Sequence, residues 1–383
     1  LHDLVASNEV TGILAADADL DGLRAHVARM GYETSGRLQC IPCDAGDSRQ
    51  LRVLFEQRPD VVIDLLPVHF GHAVAQLAIE HRVDLVNTMY VRPEIRALAD
   101  RARARGVTLL PEFGLDPGID LVLLGEVVRS LDVIETLDSY GGGLPEPDAA
   151  EPPLRYRVTW TFAGVLRAYC RAARLVADRG VREIPPEEIF APQHIHPVEV
   201  DGLGRLEAYP NGDALAFAEA AGLDPGRLRS TGRYTLRYPG HAELWRLLGR
   251  LHLLDEEPVF VGGHPVNRRD YLAAVLGPHL ELGENERDVS IVRIEATGRR
   301  EGRRVRVIAE LIDWRDRESG LTAMSRTVGF TASIGAHLLA SGALPGPGLL
   351  SPVRDVPYDR FTGELERRGI RTTLRIEPEE EAR

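Results

Sequence analysis

Glu112-Phe113-Gly114-Leu115-Asp116-Pro117-Gly118-Ile119-Asp120 is the stretch on which the fold turns. The apolar run Val107-Thr108-Leu109-Leu110 precedes it and reads as a buried strand. The pattern Ile119-Asp120-Leu121-Val122-Leu123-Leu124 follows it and reads as a helix. Asp116 therefore sits on a strand-to-helix turn, and in an open α/β sheet ligands bind at the carboxyl ends of the strands. Pro117 fixes one φ, and Gly118 supplies a backbone conformation that other residues resist. A second reading is a plain helix entry, with Asp116 as N-cap and Pro117 at the first helical position. That reading leaves unexplained why Glu112, Asp116 and Asp120 crowd together with Gly114 and Gly118.

Upstream, strand and helix patterns alternate. Strands are predicted over 10–16, closed by Asp17, and over 38–43, 61–67 and 84–89. A capping-box-like start, Asp47-Ser48-Arg49-Gln50, opens a helix through Gln57. Helices are predicted over 71–81 and 93–106, the second with proline first and glycine last. This alternation implies a parallel sheet with crossover helices, the pattern of a dinucleotide-binding half-fold. Such folds carry a glycine-rich turn after the first strand, and a carboxylate about 20 residues later that binds ribose hydroxyls. Asp17 is the candidate carboxylate. Counting back about 20 residues places the glycines ahead of Leu1, so the first strand and phosphate loop are expected to be missing. As a ribose ligand Asp17 would repel a 2′-phosphate and favour NAD over NADP. Otherwise it is a polar residue that follows a strand.

Downstream, a strand over 133–140 runs into Gly141-Gly142-Gly143, where the backbone can approach a ligand or a neighbouring chain closely. No Gly-Lys-Ser/Thr follows, so this is not a P-loop. A strand is predicted over 156–161 and a helix over 164–179. Strands recur over 205–209 and 231–238, then a helix over 241–254. The alternation in 231–238 puts Arg233, Thr235 and Arg237 on one face. Two arginines there suit carboxylate binding, or else the strand is a charged, exposed edge. Runs over 289–296 and 305–314 read as a hairpin, and 324–339 as a closely packing helix that returns to the first sheet. The arginines at 298–306 and 366–371 read as solvated hairpin and helix ends.

Composition bounds the rest. A chain of 383 residues accommodates two domains. The hydrophobic content of 44% and charged content of 27% are those of a globular protein. The net charge of −12, with both signs spread along the chain, argues against nucleic-acid binding. Three cysteines make no disulfide framework and suggest a reducing, cytoplasmic setting. Cys40-x-x-Cys43 lacks a second ligand pair, so no metal is expected. No apolar run is long enough for a membrane span.

Taken in order, Glu112 to Asp120, Tyr140 to Pro147, Pro153-Leu-Arg-Tyr156, Tyr209 to Asp213 and Thr235-Leu-Arg-Tyr238 resemble the saccharopine reductases, with lysine 6-dehydrogenases as neighbours. Met324-Ser-Arg-Thr327 and Val356 to Phe361 fit the same group. The resemblance implies an α/β architecture: a Rossmann-type parallel sheet, N-terminally truncated, over 1–118, and a second α/β substrate and dimerisation domain over 119–322. A C-terminal segment, 323–383, would return to the first domain. It implies a homodimer that transfers hydride between NAD or NADP and a C–N bond of an amino-acid substrate. Asp116 and Tyr90 are the catalytic candidates. Met89, Tyr90, Asp116, Gly141, Gly142, Arg233 and Arg237 are expected at the substrate, and Asp17, Asp44, Leu66, Pro67 and Thr88 at the cofactor. Asp116 would hold the substrate ammonium and Arg233 a carboxylate. Gly141, Met89 and Ala163 stand where the fungal members have Cys, Ser and Arg. Each lost polar contact costs about 1–3 kcal/mol, which points to a smaller or less charged substrate. A lysine 6-dehydrogenase and a non-catalytic dinucleotide-binding scaffold are the alternatives.

Overall fold

The computed structural model describes residues 1–151 and 154–379. Pro153, in one of the quoted motifs, lies outside them. The chain divides into two compact units: Leu1–Ile119 with Val328–Arg368, and Asp120–Thr327 with Gly369–Arg383.

In the first unit, β1 (Ile13–Asp17) and β2 (Leu38–Pro42) pair in parallel. A second parallel sheet joins β3 (Val61–Asp64), β4 (Asp84–Asn87) and β5 (Thr108–Leu110), with Gly348–Leu349 beside β5. Helix Gly71–His81 buries Val74, Ala78 and Ile79 in a core shared with Leu85 and Leu109. Apolar side chains at helical spacing on one element and in a short β-rich run on the next account for that core. Asp47 caps helix Ser48–Glu56 by accepting from Arg49 N–H, but Gln50 accepts from Asp44 N–H where a true capping box would accept from Asp47. The pattern over 93–106 breaks into two helices, Pro93–Arg96 and Ala99–Arg105.

Later residues complete this unit. In helix Ala323–Ala340, a Cβ on Gly335 would fall 2.6 Å from the Phe113 ring, so the helix lies against the hinge only because that side chain is absent. Phe361, on helix Tyr358–Arg367, is fully buried with its ring 5.3 Å from Phe113. The arginines at 366–371 are not all solvated: Arg368 is largely buried and pairs with Asp3 and Glu364.

The second unit is built on one large mixed sheet. Its strands are β6 (Val133–Pro145), β7 (Ala173–Ala177), β8 (Gly180–Ile184), β9 (His196–Val200), β10 (Gly204–Pro210) and β11 (Ser230–Arg237). A separate small hairpin, β12 (Val259–Val261) and β13 (His264–Val266), follows. The predicted long hairpin is β14 (Asp288–Arg300) with β15 (Arg303–Trp314). Counting Gly348–Leu349 as β16, the last strand is β17 (Thr372–Pro378). The strand order is β17-β15-β14-β6-β11-β10-β9, with β7 also on β11 and β8 on β7. Residues 369–379 belong here, whereas the sequence reading took the whole tail to the first domain. The reason is the antiparallel pairing of β17 with β15.

Two predicted elements are corrected. The helix expected over 164–179 is only Phe162–Ala168, and β7 and β8 take the rest. Asp178 and Arg179, at φ 50° and 64°, form the two-residue turn between them, since hairpin turns of this kind need positive φ at both positions. No strand forms over 156–161. There Tyr156 is buried in a core cluster with Trp245 and Tyr209, and Val158 N–H donates to the Leu280 carbonyl.

Candidate functional site

The hinge folds back on itself. Gly114 N–H donates to the Pro117 carbonyl at 2.8 Å, and Ile119 N–H to the Gly114 carbonyl at 3.0 Å. Gly118 has φ 147°, and a Cβ there would lie 2.1 Å from the Gly114 oxygen. Only glycine fits that position. The Asp116–Pro117 peptide is cis, and Asp116 is exposed at the tip. Helix Ile119–Arg129 starts two residues after Pro117, so Asp116 is not its N-cap and Pro117 is not its first residue.

The same loop extends the sheet edge beyond β4. Phe113 N–H donates to the Asn87 carbonyl and Glu112 N–H to the Met89 carbonyl. Glu112 Oε1 accepts from Val91 N–H at 3.0 Å. These bonds fix the segment 87–91, which carries Tyr90. Tyr90 is 48% exposed, and its hydroxyl donates to Asp116 Oδ1 at 2.5 Å. The two catalytic candidates are therefore brought together. Gly114 lies against Thr88: a Cβ there would come within 3.2 Å of the Thr88 Cβ.

A cavity of about 20 Å³ lies beside this pair, lined among others by Asp64, Leu66, His72, Asn87, Met89 and Tyr90. Asp64 is only 5% exposed and closes β3; its Oδ1 accepts from Leu66 N–H at 2.9 Å. Burial raises its pKa, against the pull of that N–H. The sequence reading passed over Asp64, and it singled out Glu112 in the hinge without a partner for it. A charged residue ending the apolar run Val61-Val62-Ile63 was the available signal for the first.

The expected cofactor residues fall at strand ends. Asp17 is exposed at the carboxyl end of β1, where its Oδ1 accepts from Asp19 N–H. Asp44 follows β2 and accepts from Gly46 N–H. Leu66 and Pro67 form the turn after β3, and Thr88 follows β4. Polar groups at the carboxyl ends of β1, β3 and β4, namely Asp17, Asp64 and Asn87, suit a nicotinamide dinucleotide laid across those ends.

In the second unit β11 is an interior strand, paired with β6 and β10, so the exposed-edge reading of its arginines fails. Arg233 carries its guanidinium 4.7 Å from the centre of the Phe217 ring, with Nη2 3.5 Å from Asp120 Oδ2. Arg237 is 6% exposed and enclosed. Its guanidinium lies 5.1 Å from the centre of the Tyr156 ring, and its Nη1 donates to the Leu236 carbonyl. Tyr169 and His241, hydrogen-bonded at 2.7 Å, belong to the same buried group, and burial holds His241 well below the usual imidazole range. The glycines sit inside β6. A Cβ on Gly142 would come within 3.3 Å of Leu236, and one on Gly143 would collide with Thr159 Oγ1, so neighbouring chain demands these two. Gly141 pairs across the sheet with Thr235 and Val292.

Among the described residues no group of three or more His, Cys, Asp or Glu is placed to hold a metal, and no helix is long and apolar enough to cross a membrane.

Comparison with known proteins shows the family and the fold. A family model described as the saccharopine dehydrogenase NADP binding domain matches residues 1–110, and the saccharopine dehydrogenase C-terminal domain matches residues 114–370. The saccharopine dehydrogenase [NADP(+), L-glutamate-forming] of Saccharomyces cerevisiae is 26% identical over 435 aligned positions, spanning 95% of this chain and 93% of that protein. The alpha-aminoadipic semialdehyde synthase of Arabidopsis thaliana is 30% identical over 234 residues, which is 60% of this chain but 22% of that longer protein. The solved apo structure of the Saccharomyces cerevisiae saccharopine dehydrogenase superposes with a TM-score of 0.83 at 24% identity, over 98% of this chain and 96% of that one, and shows the shared fold. The expected preference for NAD finds no support in these matches, in which the cofactor named is NADP. A nicotinamide dinucleotide-binding oxidoreductase is supported over the scaffold reading. The chain belongs to the saccharopine dehydrogenase family.

Proposed function

We propose that this chain oxidises a secondary amine of the saccharopine type at its C–N bond. The observation that carries the reading is the Tyr90–Asp116 hydrogen bond, held at the carboxyl ends of β4 and β5 by a loop that only glycine at 118 permits. A nicotinamide bound at these strand ends would supply the hydride acceptor for the substrate carbon. The nitrogen loses its proton and a C=N bond forms. Water then adds and the C–N bond breaks, leaving an aldehyde and a free amine, which for saccharopine is L-glutamate, the product in the yeast relative's name. Asp116 is exposed and acidic, suited to hold the amine nitrogen as a cation. Tyr90 is suited to pass a proton to or from it through the shared hydrogen bond. Arg233 is suited to a substrate carboxylate through its planar fork.

Asp17 supports acceptance of NAD as well as NADP, because its carboxylate and the following Asp19 oppose a 2′-phosphate. The family resemblance supports a homodimer, and the three free cysteines support a reducing, cytoplasmic compartment.

A second reading, a lysine 6-dehydrogenase-like activity, is favoured by one observation. Met89 lines the cavity and Gly141 offers no side chain, so neither supplies a polar contact for a multi-carboxylate substrate. Rates of reduced-cofactor formation with saccharopine and with lysine, each with NADP and NAD, test both readings. Turnover of neither substrate overturns them.

A further inference from the structure

Two adjacent strands of the first unit end in the same way. Asp64 closes β3 and Asn87 closes β4, and the two stand side by side in the parallel register. They are 5% and 6% exposed. Each folds its side chain back onto its own backbone. Asp64 Oδ1 accepts from Leu66 N–H at 2.9 Å, and Asn87 Oδ1 accepts from Met89 N–H at 3.0 Å. Turns of this kind suit Asp and Asn equally, and they occupy one atom of each side chain.

The two remaining atoms are of opposite kind. Only oxygen accepts from Met89 N–H, so that bond fixes which end of the Asn87 amide is oxygen and turns its NH2 the other way. The Leu66 bond does the same for Asp64 and leaves Oδ2 as an acceptor. Among the described residues, neither Asp64 Oδ2 nor the Asn87 NH2 has a hydrogen-bond partner. Both residues line the cavity of about 20 Å³ beside Tyr90, and a Cβ on Gly71 at its wall would lie 4.0 Å from Asp64 Oδ2. Arg92, in the same wall, pairs with Glu94 at 3.0 Å. A buried polar group without a partner costs roughly 1–3 kcal/mol, so an acceptor and a donor left over together are a cost that a ligand removes.

The chemistry of that ligand follows from the pair. A carboxylate offers two acceptors and sets one of them against Asp64. An ammonium offers only donors and leaves the Asn87 NH2 unmet. A primary amide, with one NH2 and one C=O in a plane, meets both, and the roughly 4.8 Å between neighbouring strands lets one group bridge them. The cavity is little larger than the roughly 10–15 Å³ that one water needs, so it takes the end of a ligand. A nicotinamide dinucleotide ends in such a group, the ring carboxamide.

We propose that Asp64 and Asn87 recognise the carboxamide of the nicotinamide ring, Asp64 Oδ2 accepting from its NH2 and the Asn87 NH2 donating to its carbonyl. This role rests on the reading of the chain as an oxidoreductase whose cofactor crosses the carboxyl ends of β3 and β4. The pair selects the base of the cofactor and takes no part in hydride transfer. A water held between the two side chains is the rival occupant, and it is indifferent to the substituent on the ring.

Isothermal titration with three oxidised dinucleotides that differ only at that substituent tests the assignment. They are NADP, its 3-acetylpyridine analogue, with CH3 in place of NH2, and its nicotinic acid analogue, with a carboxylate in place of the amide. The wild type is expected to bind NADP about tenfold or more tightly than either analogue. Asp64→Asn keeps the Leu66 bond through its amide oxygen and turns a donor to the cavity, so two donors then face the ligand. It is expected to reverse the order, binding the nicotinic acid analogue about tenfold more tightly than NADP. A residue needed only for the fold weakens all three ligands alike. Asp64→Ser keeps a turn-forming oxygen and removes Oδ2; it is expected to bind NADP and the acetylpyridine analogue equally. Equal binding of the three ligands by the wild type overturns the proposal without any variant. So does the wild-type order retained in Asp64→Asn, or in Asp64→Ser where Asp64→Asn does not fold. Failure of the wild type to bind any of the three overturns the cofactor placement and the proposal together. Failure to turn over saccharopine overturns the proposed function instead, while the titrations still decide the role of Asp64.

Discussion

The Tyr90 hydroxyl and the Asp116 carboxylate, 26 positions apart in the chain, share a 2.5 Å hydrogen bond at the mouth of a parallel sheet. Glu112 fixes one side of this pair through Val91 N–H, and the Gly114–Pro117 turn fixes the other. Asp116→Asn keeps the shape and removes the charge that would hold an amine nitrogen. It is expected to lower kcat/KM by roughly 10²–10³, because it removes both the counter-charge for the amine and the carboxylate that accepts the Tyr90 hydroxyl proton in the shared hydrogen bond. Tyr90→Phe keeps that charge and is expected to lower it less, by about tenfold. Steady-state kinetics of both variants check the order; a Tyr90→Phe loss exceeding that of Asp116→Asn contradicts it.

Gly118→Ala places a methyl group where the Gly114 backbone already lies, at a φ that L-residues avoid. The loop must open to accept it. The expected cost is roughly 3 kcal/mol or more of unfolding free energy, with activity lost in the fraction that folds. Urea denaturation measures it. A variant within about 0.5 kcal/mol of wild type would show that the loop is not closed as described.

The parts of this account that were legible in the sequence depended on local signals. The alternation of apolar runs and amphipathic patterns up to Leu110 gave the parallel strands, because period and length are local properties. The hinge was legible because Gly114, Pro117 and Gly118 are residues with narrow backbone roles. The failures were long-range. Whether 171–184 formed a helix or a hairpin was decided by β7 reaching β11, at Thr231 and Val176. Tyr156 reads as strand by alternation, but burial against the core around Trp245 overrode that pattern. Nothing near Arg233 in the chain announces Asp120, 113 positions away, as its partner. Asp64 was missed, and the Val91 partner of Glu112 with it, because both depend on what the backbone brings alongside those carboxylates.

Asp138 on β6 stands directly opposite Glu295 on β14. Burial first, then the Glu295 charge, pushes its pKa up to about 7, against a backbone hydrogen bond from Gly232. Tyr140 and Tyr234 stack beside it, and Glu295 itself pairs with Arg293 and Arg306. The folded state therefore holds a proton that the unfolded chain releases near its ordinary value of 3.8. Its contribution to stability is complete below that ordinary value and is lost as pH rises toward and through 7. Asp138→Asn is expected to flatten this slope and to raise stability at pH 8 by roughly 1–3 kcal/mol. Denaturation curves from pH 5 to 8 read the difference; parallel profiles for the two proteins contradict it.

Asp17 ends β1 with its side chain exposed. Asp17→Ser removes a charge that opposes a 2′-phosphate and is expected to shift the NADP-to-NAD ratio of kcat/KM toward NADP by about tenfold, equivalent to about 1.4 kcal/mol. The ratio, measured on one substrate with both cofactors, checks this. An unchanged ratio removes Asp17 from the ribose site.

The measurement that bears most directly on the central claim is the reaction itself: purified protein, saccharopine, and NADP or NAD in separate cuvettes, followed by absorbance of the reduced cofactor with L-glutamate assayed as product. The account predicts saccharopine-dependent reduction with one glutamate formed per cofactor reduced, abolished or nearly so in Asp116→Asn. Reduction without glutamate, or full activity retained in Asp116→Asn, would contradict it.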